Sequence, residues 1–156
     1  DTCCGLGYTA IEAAAKAKEG LVVTIEYDDA SVEMCAHNPY SQALFTSEND
    51  HNNLVGLKGD SCQVIKHMHD NVFDVIIHDP PARALCATSD MYGLNFYKDL
   101  YRVLKEGTGH LFHYIGSPNS KESGRLYGGI KQRLQEAGFT NVQKYEDAFG
   151  LIATKR

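Results

Sequence analysis

The stretch "DTCCGLGYTA" (1–10) sets two glycines, Gly5 and Gly7, one residue apart, between an acid and a helix-forming run. Glycine lacks a Cβ and tolerates positive φ, so such a turn bends tightly and brings backbone close to a ligand. The following "YTAIEAAAKAKEG" reads as a helix, with Ile11, Ala14 and Ala15 on its apolar face and Gly20 as a stop signal. A glycine turn feeding a helix N-terminus favours anions, or ribose and carboxylate oxygens, which points to a small-molecule cofactor. "GLGYTA" also fits the dinucleotide fingerprint G-x-G-x-x-G/A, with Glu26 about 20 residues on, where a ribose-binding carboxylate belongs. Asp1 pulls away from that reading. It stands directly before a turn that contains no basic residue, so a ligand with a cationic amino group fits better than a pyrophosphate.

Apolar patterning supplies the elements that must position these residues. "LVVTIEY" (21–27) reads as a strand and "DASVEMCAH" (29–37) as a short helix that Asn38-Pro39 ends. Residues 46–56 are polar and loop-like; 57–60 read as a short strand, and "SCQVIKHMH" (61–69) as a helix. "VFDVIIHD" (72–79) carries the continuous apolar run of a strand buried on both faces. Helices over 91–107 and 121–138 flank a strand over 109–116, and the remaining residues form a hairpin. Strands alternating with helices imply an α/β fold: a doubly wound, mostly parallel, Rossmann-like sheet with a C-terminal antiparallel hairpin. Ligands bind such sheets at the carboxyl ends of the strands, which makes Asp1, Glu26, Asp60 and Asp79, four acids at four strand ends, the site candidates.

The 156 residues, 43% of them hydrophobic, suffice for a single domain over 1–156 with its own core. Fifteen basic residues against twenty acidic ones, a net charge of −5, exclude a broad phosphate-tracking surface. Five cysteines (3, 4, 35, 62 and 86) without C-x-x-C spacing indicate neither a disulfide framework nor a zinc site, and they suit a reducing cytoplasm. His110 and His113 fall on opposite faces of one strand, which speaks against a metal site. His78 reads as packed, since alternation points it away from Asp79. Lys121, Arg125, Lys131 and Arg133 read as a solvated helix face, with RNA contact the minor alternative. No apolar run reaches the ~18 residues of a membrane span.

The ordered set "DTCCGLG", "VVTIEYD", "KGDS" and "IIHDPPA" resembles the class I S-adenosylmethionine-dependent methyltransferases, most closely archaeal ones of the spermidine-synthase-like branch. The resemblance runs over nearly the whole chain and implies S-adenosylmethionine as cofactor. It implies that Asp1 and the Gly5–Gly7 backbone hold the methionine moiety, with Cys3 and Tyr8 in the same turn. Glu26 would take the ribose hydroxyls, Tyr27 would pack near the adenine, and Asp60, beside Ser61, would accept from the adenine amino group. Asp79, Pro80 and Pro81 would face the methyl acceptor, a nitrogen in an RNA base or a small amine. Asp60 also qualifies as a plain helix N-cap, and Glu26 as a solvated acid. The strand that leads into Asp1 is then expected at the centre of the sheet, upstream of this sequence. Two positions depart from the family pattern: Cys3 replaces the first glycine of the turn, and Ala82 stands where base-methylating enzymes carry a stacking aromatic. Tyr8, Tyr92 and Phe96 are the candidates to replace that aromatic.

The D-P-P chemistry is physical. A neutral amine attacking a sulfonium methyl needs acceptors for its hydrogens; the Asp79 carboxylate and the Pro80 carbonyl can supply them, while consecutive prolines stiffen the loop. Three rivals remain: aminopropyl transfer to a polyamine, nicotinamide-dependent hydride transfer, and a binding module that keeps the pocket without catalysis. The first would want a strongly acidic grip on a polycation, of which Asp90 and Glu106 give little sign.

Overall fold

The computed structural model describes residues 1–45, 53–86, 90–116 and 121–156. They form two compact units, Asp1–Ser61 and Cys62–Arg156.

The first unit contains α1 (Tyr8–Lys16), β1 (Val22–Glu26), α2 (Asp29–His37), a 3-10 turn over Pro39–Leu44, and β2 (Leu54–Lys58). β1 and β2 pair in parallel, from Val22 against Leu54 to Glu26 against Lys58. Ala10 and Ala14, one turn apart, are the buried contacts of α1. That helix stops before the glycine signal at Gly20 because the Asn53 amide donates to the Ala14 and Ala17 carbonyls, at 3.1 and 2.7 Å. α2 opens on Asp28, whose carboxylate accepts the Ala30 N–H at 3.1 Å, and it ends at Asn38-Pro39 as predicted. β2 begins at Leu54, inside the stretch read as loop; residues 46–52 of that stretch lie outside the described residues. The backbone of Asp1 runs alongside β1: its nitrogen donates to Val23 O at 2.9 Å, and Ile25 N donates to Asp1 O at 3.1 Å.

α3 (Ser61–Val64) opens at the unit boundary and passes into a 3-10 turn over Ile65–His67 instead of running on to residue 69. The Arg102 guanidinium takes the Ile65 and Met68 carbonyls at 2.8 and 2.7 Å, filling acceptors that a longer helix would use. The second unit continues with β3 (Val75–His78), α4 (Leu94–Val103), β4 (His110–Tyr114), α5 (Lys121–Glu136), β5 (Thr140–Tyr145) and β6 (Gly150–Thr154). Its sheet has the order β3-β4-β6-β5, with β3 parallel to β4 and β6 antiparallel to both neighbours. The expected C-terminal hairpin is present, and the parallel pairs β1–β2 and β3–β4 belong to separate ladders.

Phe96, Tyr97, Leu100 and Val103 form the buried stripe of α4, at the spacing of one helical face. Strand β3 corrects one expectation. Ile76 and His78 are buried, but Val75 is 56% exposed, so the covered face is the one that meets α4. Lys155, nearly buried, donates to Asn71 Oδ1 at 2.8 Å and Leu104 O at 2.9 Å, and it lies 4.7 Å from the Tyr101 ring centroid. Among the described residues no helix is long and apolar enough to cross a membrane.

Candidate functional site

In the first unit the residues of the glycine turn are brought together by hydrogen bonds. The Asp1 carboxylate accepts the Thr24 hydroxyl at 2.7 Å and the Cys3 N–H at 3.4 Å, which anchors the start of the turn on β1. Glu26, at the end of β1, accepts Gly5 N–H and Asp28 N–H, each at 2.8 Å, and so ties the same turn to the start of α2. The Cys35 thiol, from α2, donates to Gly5 O at 3.2 Å.

The two glycines differ in what demands them. Gly7 is the N-cap of α1 with φ +81°, and a Cβ there would sit 2.4 Å from Leu44 Cδ1. Gly5 has φ +53° and open space where its Cβ would be. The N-cap offers no side-chain partner to the first turn of α1, whose N–H groups are therefore suited to a carboxylate. Cys3, the departure from the family pattern, does not adopt positive φ; among the described residues the non-glycine residues that do are Asn71, Asn141 and Phe149. With an open glycine shelf, an uncapped helix and a carboxylate at the strand end, these residues fit S-adenosylmethionine.

The other cofactor candidates lie nearby in the unit. Tyr8 is half exposed, and its hydroxyl accepts the Asn38 amide at 2.8 Å. Tyr27 is 61% exposed; Lys58 donates to its carbonyl and lies 5.9 Å from its ring centroid. Ser61 is buried, and its hydroxyl donates to the Thr2 carbonyl, so it braces the glycine turn from beneath. Asp60, directly before it, is partly exposed.

In the second unit Asp79 follows β3 directly, at the carboxyl end of the strand. Its side chain reaches solvent, yet neighbouring atoms strip part of its hydration and raise its carboxyl above the ordinary value. Among the described residues the carboxylate has no hydrogen-bond donor. Pro80 is buried and Pro81 exposed. The Pro81 carbonyl accepts the Tyr92 hydroxyl at 2.9 Å, with the Cys86 thiol 3.6 Å away.

Beneath this loop lies a cluster that the sequence reading did not assemble. His78 and His113 are fully buried with ring centroids 4.3 Å apart, and Tyr92, Phe96 and Tyr97 pack around them. Burial pushes the His78 imidazole well below its ordinary pKa and that of His113 down to about 3, so both are neutral. His113 donates from Nδ1 to Tyr114 O at 2.8 Å and accepts the Tyr97 hydroxyl on Nε2 at 2.9 Å. His78 and His113 are register partners on the parallel strands β3 and β4, a pairing that the sequence alone does not show. His78 is a packing residue, as alternation predicted.

Two expectations are corrected here. Tyr92 and Phe96 are each 4% exposed and belong to the core, so neither can stack on an acceptor base; Tyr8 stays exposed. Arg133 is not a solvated residue of α5, since its Nε donates to Tyr92 O at 2.8 Å. Lys131, partly exposed, lies 6.0 Å from the Tyr127 ring centroid, and the Lys121 and Arg125 side chains lie outside the described ones. Among the described residues no group of His, Cys, Asp and Glu side chains is arranged to hold a metal ion.

This fold is that of the S-adenosylmethionine-dependent methyltransferases. A methyltransferase of this kind from Aquifex aeolicus superposes with a TM-score of 0.66 at 18% identity, over 98% of this chain and 79% of that one. Spermidine synthase from Thermotoga maritima gives 0.69 at 15%, over 97% and 50%. Residues 1–139 match the methyltransferase small domain, and the chain belongs to that family, whose cofactor is S-adenosylmethionine. An uncharacterized protein of Methanocaldococcus jannaschii, MJ1233, is 45% identical over 99% of this chain and 51% of its own length. The chain thus spans about half the length of the curated relative it matches.

Proposed function

We propose that the protein transfers the methyl group of S-adenosylmethionine to a nitrogen acceptor, an exocyclic amine of an RNA base or a small amine. The observation that carries this reading is the Asp79-Pro80-Pro81 loop. It presents an exposed carboxylate, without a donor among the described residues, at the carboxyl end of β3. Asp79 accepts one hydrogen of the attacking amine and the Pro80 carbonyl another, which aims the nitrogen lone pair away from both. The cofactor supplies an activated methyl on a sulfonium centre, so positioning is the protein's main task. Asp1, Cys3, the Gly5–Gly7 turn and Tyr8 hold the methionine end. Glu26 takes the ribose hydroxyls, Tyr27 lies along the adenine, and Asp60 receives its amino group, with Ser61 beside it bracing the turn.

The uncapped start of α1 favours this reading over aminopropyl transfer, because the decarboxylated cofactor lacks the carboxylate that those N–H groups suit. The same reading places the protein in a reducing cytoplasm, where its five free cysteines persist as thiols. The test incubates the protein with methyl-labelled S-adenosylmethionine and, in separate arms, single-stranded RNA oligonucleotides and putrescine, with decarboxylated S-adenosylmethionine as the competing donor. Label in RNA or amine supports the proposal. Spermidine formed from the decarboxylated donor, or no transfer in any arm, overturns it.

A further inference from the structure

The loop that follows β3 has few soft dihedral angles. Proline at 80 and 81 fixes φ of both residues. A residue that precedes proline is confined to extended conformations, which restricts ψ of Asp79 and of Pro80. Within the two prolines the angle left unrestricted is ψ of Pro81, and it determines where the Pro81 carbonyl points. That carbonyl is the group the Tyr92 hydroxyl holds at 2.9 Å. Tyr92 is itself fixed: it is 4% exposed, its ring centroid lies 5.6 Å from that of His113, and its own carbonyl accepts Arg133 Nε at 2.8 Å.

We infer that Tyr92 is a positioning residue for the acceptor. Its hydroxyl pins the Pro81 carbonyl and so anchors the far end of a loop whose near end β3 holds, which keeps the Asp79 carboxylate and the Pro80 carbonyl between two fixed points as they meet the incoming amine. A chain of contacts runs from α5 through Arg133 and Tyr92 to the loop. The Cys86 thiol, 3.6 Å from the same oxygen, reinforces it weakly. This inference rests on the methyl-transfer reading for its catalytic consequence, but its structural half can be read without any acceptor.

Two measurements on Tyr92→Phe test it. The first labels the proline carbonyls with carbon-13 and follows them by NMR; the chain has four prolines, so the Pro81 signal is assignable by Pro81→Ala. Loss of the hydroxyl is expected to shift that signal and leave the Pro39 signal in place. An unmoved Pro81 signal overturns the inference even if no acceptor has been found.

The second measures label transfer from S-adenosylmethionine to the RNA or amine that accepts it with wild type. The expected result is a kcat lowered by ~10-fold or more, because misplacing a reacting atom by an ångström can cost 10²-fold. Cofactor affinity by calorimetry should stay within about threefold, since the hydroxyl acts on the acceptor loop. A shifted carbonyl with wild-type kcat overturns the positioning role. No transfer by wild type overturns the methyl-transfer reading instead. If Tyr92→Phe fails to fold, Arg133→Met loosens Tyr92 from its other end; kcat lowered several-fold supports the inference, and an unchanged kcat sinks it.

Discussion

The buried histidine pair makes acid stability measurable residue by residue. His113 is a base whose folded pKa lies at about 3, against an ordinary value of 6.5. The unfolded chain therefore takes up the proton first as pH falls, so the contribution of a neutral His113 is complete above about pH 6.5 and is lost on the way down to about 3. Each pH unit in that window costs ~1.4 kcal/mol, so about 3 kcal/mol is gone by pH 4.5. His78, shifted the same way by burial and by the neighbouring His113, adds a loss of the same sign. For a domain with a total stability of ~5–15 kcal/mol this is a large share. The assay is urea unfolding of wild type and His113→Gln at pH 7, 6, 5 and 4.5. The substitution costs stability at every pH through the lost Tyr97 contact, but its curve of stability against pH should be shallower by ~1.4 kcal/mol per unit. Parallel curves for the two proteins would refute the neutral, desolvated state assigned to His113.

The remaining predictions concern the proposed ligand residues. Glu26→Ala should weaken S-adenosylmethionine binding by roughly 1–3 kcal/mol in calorimetry, the scale of hydrogen bonds to a charged group, and it also frees Gly5 N–H from its anchor. Gly7→Ala should destabilise the first unit by about 2–4 kcal/mol, combining left-handed backbone with overlap on Leu44, as read by thermal unfolding. Asp79→Ala should leave cofactor affinity within about threefold and lower turnover by ~10²-fold, with Asp79→Asn milder because it keeps an acceptor oxygen. Equal turnover of Asp79→Ala and wild type would reduce Asp79 to a strand-end acid.

What the sequence made legible was local and periodic. The span of α2 came through because Asp28 and Asn38-Pro39 bracket it chemically, and β3 because of its short apolar run, with β4 and the hairpin following as short segments between turn signals. The glycine turn was readable because two residues without side chains so close together have few other uses. What stayed hidden depends on partners distant in the chain. Asn53 ends α1 from 36 residues away, and Arg102 ends α3 from 37. Tyr92 and Phe96 look like available aromatics until the fold turns them inward beside the histidines, and Arg133 looks like part of a charged face until Tyr92 O is found beneath it. Composition carries the inventory of such groups but no information on which of them meet.

The position of β6 has a consequence for the order in which the second unit can assemble. β5 precedes β6 in the chain, yet β6 lies between β4 and β5. During synthesis β5 therefore leaves the ribosome before the strand it must dock against exists, and β4 waits with an unpaired edge. Closure of the sheet and delivery of Lys155 to the Asn71 and Leu104 oxygens become one late, long-range event, with the lysine reaching across 84 residues of sequence to Asn71. Such non-local closure is slow and leaves an apolar strand edge open to other chains. A nascent chain stalled before Gly150 should be the species that chaperones hold and proteases cut.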